Sequence, residues 1–158
     1  MTLSFDPDTA DVIFHDEDNL VAKRGDVVLL VSRRPMKLPQ LKELAAVVGA
    51  RELRPVVDRG AYITVLEDSA DKPMTAPLRE QQSELLRQLL TAERAWAATI
   101  VPSAFLLRSA LKVLSLGAPA TYRTFKKPRE AAAWLSAHVD VPVDDLRAFV
   151  AWGRQLEI

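Results

Sequence analysis

The chain contains no cysteine. That excludes a disulfide frame, a thiol nucleophile and every zinc site built on thiolates. It has two histidines, His15 and His138, so general-base chemistry near neutral pH has only two ordinary candidates. The five glycines are scattered. None falls into a G-x-G-x-x-G or Walker pattern, which leaves no loop to cradle a phosphate chain. Net charge is also lacking, with 21 Lys plus Arg against 21 Asp plus Glu. A neutral chain has no global pull toward nucleic acid or anionic lipid, so nucleic acid is not an expected partner. No apolar run approaches the roughly 18 residues of a membrane span. The opening MTLSFDPDTADVIF is acidic and has no apolar centre of the signal-peptide kind. These absences lead to the expectation of a cytoplasmic protein with no membrane span.

What is present is ordinary globular material. The hydrophobic share is 49% and the charged share 27%, values at which a packed core forms. A chain of 158 residues has the size of a single domain. Such a domain buries about 70% of its unfolded surface and needs no covalent staple.

The organising stretch is Ala95–Ala137. AWAATIV (Ala95–Val101) is a near-continuous apolar run, the pattern of a strand buried on both faces. Ser103–Gly117 reads as a helix, Ala120–Phe125 as a strand and Pro128–Val139 as a second helix. Upstream, residues 1–10 read as a loose polar arm. Asp11–His15 starts the first strand, and DEDN (Asp16–Asn19) has turn chemistry. Leu20–Arg24 and Val27–Arg33 form a hairpin across Gly25-Asp26, where glycine supplies the positive φ of a tight turn. Gln40–Val48 carries Leu41, Leu44, Ala45 and Val48 at helical spacing. Ala61–Leu66 is the next strand, and a helix runs from an N-cap at Thr75 to Ala92. Residues 140–158 hold a linker and a last helix, Asp144–Leu156, with acid at its positive end. Strands alternating with helices predict an α/β fold: a mixed, mostly parallel sheet covered by helices, with an antiparallel hairpin at one edge. Val27–Val31, Ile63–Leu66 and Ala97–Val101 are its expected centre.

In this layout the chain resembles the STAS-like (anti-sigma-factor-antagonist-like) bacterial modules. The resemblance rests on the N-terminal hairpin leading through a helix to AYITVL (Ala61–Leu66). It rests also on the long helix before AWAATIV, and on Phe125 followed by EAAAWL (Glu130–Leu135). It covers Asp11–Val139 and leaves the last helix as an extra element. It implies a regulatory module acting on a protein partner, and a serine, phosphorylated by a partner kinase, in the loop after the strand. The matching pair is Asp68-Ser69. No glycine turn follows it, and Glu67, Asp68 and Asp71 would repel a phosphate at Ser69. An ordinary loop serine is the expectation, with a phosphosite as the alternative.

Other candidates follow from the residues themselves. His15 beside Asp16, Glu17 and Asp18 offers metal-ligand types, but neighbours in sequence point in different directions. A solvated turn is expected there. His138 is expected to cap a helix C-terminus. Arg33-Arg34-Lys37 and Arg123-Lys126-Lys127-Arg129 are candidate anion patches. Each is read as a solvated edge, since no aromatic platform is interleaved with them. The helix Ser103–Leu116 is apolar almost all round, so something must cover it. Phe105, Leu106, Leu111, Phe149 and Trp152 are the candidate partner surface. The last helix covering its own domain and a homodimer remain open alternatives. No cofactor or metal is expected. The reading is a non-catalytic bacterial regulatory or scaffold module acting by protein–protein interaction. The alternative is a small apolar ligand or lipid carrier, of the CRAL-TRIO type to which the STAS-like fold is related.

Overall fold

The computed structural model describes residues 6–33, 38–48, 61–66, 77, 96–100 and 122–156. Six strands form one sheet in sequence order: β1 (Asp11–His15), β2 (Asn19–Arg24), β3 (Val27–Ser32), β4 (Ala61–Leu66), β5 (Trp96–Ile100) and β6 (Tyr122–Phe125). β1, β2 and β3 make an antiparallel meander. β3, β4, β5 and β6 run parallel to one another. The sheet is therefore mixed, and the class is α/β. Three helices are described: α1 (Leu38–Val48), α2 (Pro128–Ser136) and α3 (Val143–Gln155). α1 lies in the crossover that joins parallel β3 and β4. The helices expected at Thr75–Ala92 and Ser103–Gly117 lie outside the described residues, apart from Pro77, which is helical.

The β2–β3 hairpin closes through two residues. Arg24 pairs with Val27, and Gly25 has φ 57° while Asp26 keeps negative φ. That is the type II′ arrangement, whose twist matches the flanking strands. The Asp26 carbonyl accepts from the Ala61 amide at 2.9 Å, which docks the hairpin tip to the start of β4.

Every residue of β3 is buried. Val27, Leu29 and Val31 face the side that α2 and α3 cover, together with Leu20, Ala22, Ala61, Ile63, Val65, Ala98 and Ile100. Val28 and Leu30 alternate to the opposite face and are buried there, as are Val21, Tyr62 and Ala97. Both faces are dry along β3, which is why that strand reads as an unbroken apolar run. β3, β4 and β5 all lie inside the sheet, flanked by other strands. β1 is an edge. Its register slips between Val12 and Phe14, and Asp11, Val12 and His15 are exposed. A bulge and charge of this kind discourage further strand pairing.

Two polar devices close the structure. Asp16 Oδ1 accepts from the amides of Asp18 (2.8 Å) and Asn19 (2.7 Å), forming the β1–β2 turn. At the far end of β3, the Arg33 guanidinium donates to the carbonyls of Gly153 (3.3 Å) and Leu156. It satisfies carbonyls that the last turn of α3 leaves without helical partners.

α3 packs on its own sheet. Leu146, Phe149 and Val150 are in the core, with Phe149 1% exposed. Gly153 lets the helix come close: a Cβ built there would lie 2.4 Å from Leu29 Cδ2. α2 ends at Ser136, earlier than Val139, and the chain tightens there, with the His138 amide bonded three residues back to the Leu135 carbonyl. Asp6–Ala10 do not hang loose. Pro7–Thr9 form a 3-10 turn, and Thr9 Oγ1 accepts from Arg24 Nε at 2.8 Å.

Candidate functional site

Two surface features stand out among the described residues. The first is an open cleft of about 660 Å3 beside the β2–β3 hairpin tip and the α2–α3 turn. Arg24, Asp26, His138, Asp140, Asp145 and Phe149 are among its lining residues. Arg24 and Asp145 pair at 3.6 Å, which links β2 to the first turn of α3. Asp145 Oδ1 is buried without a hydrogen-bond partner among the described residues. The cleft lies at the amino ends of the parallel strands. Ligand sites of open α/β sheets gather at the other, carboxyl ends.

The second feature is an aromatic cluster on the β5–β6 side. His138 stacks on Trp96 with ring centroids 3.8 Å apart and planes 8° from parallel. Trp134 meets Trp96 edge-on at 5.6 Å and 74°, and meets Phe125 at 5.6 Å and 50°. The Arg123 guanidinium lies over the Phe125 ring at 5.6 Å. Trp96, Phe125 and Trp134 are half-buried, while His138 and Arg123 are exposed. The cluster is therefore rooted in the core and open to solvent at its rim.

The expected site residues fall as follows. Arg123, Lys126, Lys127 and Arg129 come together at the corner where β6 meets α2, and all four side chains are exposed. Phe125 sits within the run and packs against Trp134, with the Arg123 guanidinium over its ring. Arg33 is no open anion site, since its guanidinium holds the end of α3. Phe149 presents nothing to a partner because it is in the core. Trp152 is half-buried and stacks on it at 5.7 Å and 27°. Two of the three acids near His15 are engaged in the fold. Asp16 holds the turn, and Asp18 Oδ2 accepts from Gln40 Nε2 at 3.1 Å. Among the described residues no group of three His, Asp or Glu side chains is arranged to hold a metal ion. The His138 amide donates to the Leu135 carbonyl at the end of α2. The residue lies past the end of α2 with its ring on Trp96. Ser69, Thr75, Arg34, Lys37, Phe105, Leu106 and Leu111 lie outside the described residues.

The aromatic cluster was only partly legible in the chain. Trp134 and His138 are four residues apart, a spacing that brings side chains together on a helix. Trp96 lies far upstream and joins them only through the sheet. No family model matches the chain, and no curated protein or solved structure shows a significant match.

Proposed function

We propose that this chain is a non-catalytic regulatory or scaffold module of STAS-like type that works in a bacterial cytoplasm by binding another protein. The observation that supports this most is the half-open cluster of Trp96, Phe125, Trp134 and His138, rimmed by Arg123. Tryptophan, phenylalanine and arginine are enriched at protein interfaces, and Trp and Arg dominate their energetic hot spots. A ring set rooted in the core keeps its rim ordered before binding, which lowers the entropy cost of association. His15 is exposed on an edge strand, and the His138 ring is stacked on Trp96.

The test uses the full chain carrying a photo-crosslinking residue at position 125, with position 42 on the exposed side of α1 as control. The expected result is a crosslink to a discrete protein from 125 and not from 42, abolished by Trp134→Ala. Equal crosslinking at both positions, or native mass spectrometry showing a co-purified apolar ligand in its place, would overturn the reading.

A further inference from the structure

The corner between β6 and α2 has a charge that the chain as a whole does not have. Arg123, Lys126, Lys127 and Arg129 fall within seven residues that hold no carboxylate, and Glu130 follows them. The whole chain is neutral, so this is a local excess rather than general basicity. All four cations are exposed, and among the described residues none of them is paired with a carboxylate. A second charge effect has the same sign. α2 begins at this corner, its N-cap position is Lys127, and no side chain caps its free amides. The helix dipole therefore adds positive potential where the cations already stand.

The cations are not isolated from apolar surface. Arg123 lies over Phe125, and Phe125 packs against Trp134. The corner thus offers an aromatic anchor with a basic rim, at the carboxyl end of an edge strand. Single-stranded nucleic acid would need open ring faces for its bases. Here the Phe125 face has a guanidinium over it, and the ring packs against Trp134. Rings used this way present edges, which suit an aliphatic side chain better than a stacked base. We infer that the β6–α2 corner is the docking surface for an acidic segment of a protein partner. Carboxylates of that segment meet Arg123, Lys126, Lys127 and Arg129, and an apolar side chain meets Phe125 and Trp134. This rests on the proposed protein-binding role and specifies the chemistry of the partner.

The probe is a short synthetic peptide of glutamate and aspartate around one leucine. It is compared with the same peptide carrying lysine for each acid, and with a thymidine oligonucleotide of equal length. Binding to the full chain is read by calorimetry and by tryptophan fluorescence. The acidic peptide is expected to bind, and to weaken as salt rises and the Debye length falls from ~30 Å at 0.01 M to ~8 Å at 0.15 M. Triple replacement Arg123→Gln, Lys126→Gln and Lys127→Gln is expected to weaken it at least ~10-fold, the loss of charge-assisted contacts. Lys42→Gln with Arg147→Gln, both exposed elsewhere, should change it less than ~2-fold, as screened distant charges do. Unchanged melting temperatures establish that each variant is folded. Equal binding of the basic peptide, or equal loss in both variants, overturns the inference. Tighter binding of the oligonucleotide through the same cations makes the corner a nucleic-acid site and also overturns it. Binding of the partner captured at position 125 that ignores the charge replacements overturns the acidic chemistry while leaving the protein-binding role standing.

Discussion

Gly153→Ala separates two effects of opposite sign. Gly153 lies in the last turns of α3, where alanine is favoured over glycine by about 1 kcal/mol on intrinsic helix propensity. Propensity alone therefore predicts a more stable protein. The packing predicts the reverse. The new methyl would lie 2.4 Å from Leu29 Cδ2, 3.4 Å from Val31 Cγ2 and 3.5 Å from Leu20 Cδ2. Leu29 is fully buried on an interior strand, so its side chain has little space to turn away. Overpacking of this kind costs about 1–3 kcal/mol. The net expectation is a loss of about 1 kcal/mol, or about 2–4 °C in Tm for a domain of this size. Urea unfolding followed by circular dichroism measures it. A double-mutant cycle makes the cause specific. Leu29→Ala alone should cost about 2–5 kcal/mol by leaving a cavity. Combined with Gly153→Ala it should cost about 1–2 kcal/mol less than additivity, because the methyl then enters the space that Leu29 vacates. An additive cycle, or a single variant stabilised by the full propensity gain, would refute the close-approach account.

Three further outcomes follow from the same geometry. Arg33→Met should lose about 1–2 kcal/mol and speed amide exchange in the last turn of α3, and Arg33→Lys should not restore it, because one ammonium does not reproduce the guanidinium fork; unchanged exchange would show that the Gly153 and Leu156 carbonyls need no partner. Asp16→Ala removes the acceptor for the Asp18 and Asn19 amides, so about 1–3 kcal/mol should be lost, as judged by denaturant midpoint, and Asp16→Asn should recover part of it. Deleting 143–158 uncovers Leu20, Leu29 and Val31, so the shortened chain should unfold or bind a hydrophobic dye; a truncated chain that stays folded and dye-free would mean that α3 does not close the core.

Much of the architecture was legible because it depends on local chemistry. The three β-rich runs, Val27–Val31, Ile63–Leu66 and Ala97–Val101, are apolar at nearly every position, the pattern of strands covered on both faces. Gly25-Asp26 between two such runs specified the hairpin, since positive φ is accessible there at no steric cost. The DEDN turn followed from Asp side chains that bond their own backbone. Phe149 read as a residue needing burial, because its area has no stable place in water.

What the chain alone left open depends on partners distant in sequence. Phe149 required cover, but only the tertiary structure decided that the cover is its own sheet, through the contact of α3 with β3. Arg33 looked like a surface cation until α3 brought two carbonyls to it across more than a hundred residues. Gly153 has low helix propensity, and its reason is Leu29 on the other layer. The basic run at Arg123–Arg129 was visible as charge. Its aromatic neighbour Trp134 was not, because it reaches Phe125 only when β6 and α2 pack together. A sequence carries side-chain type and local period. Which two faces meet is set by the whole core minimising exposed apolar area at once, and that is a property of the folded chain alone.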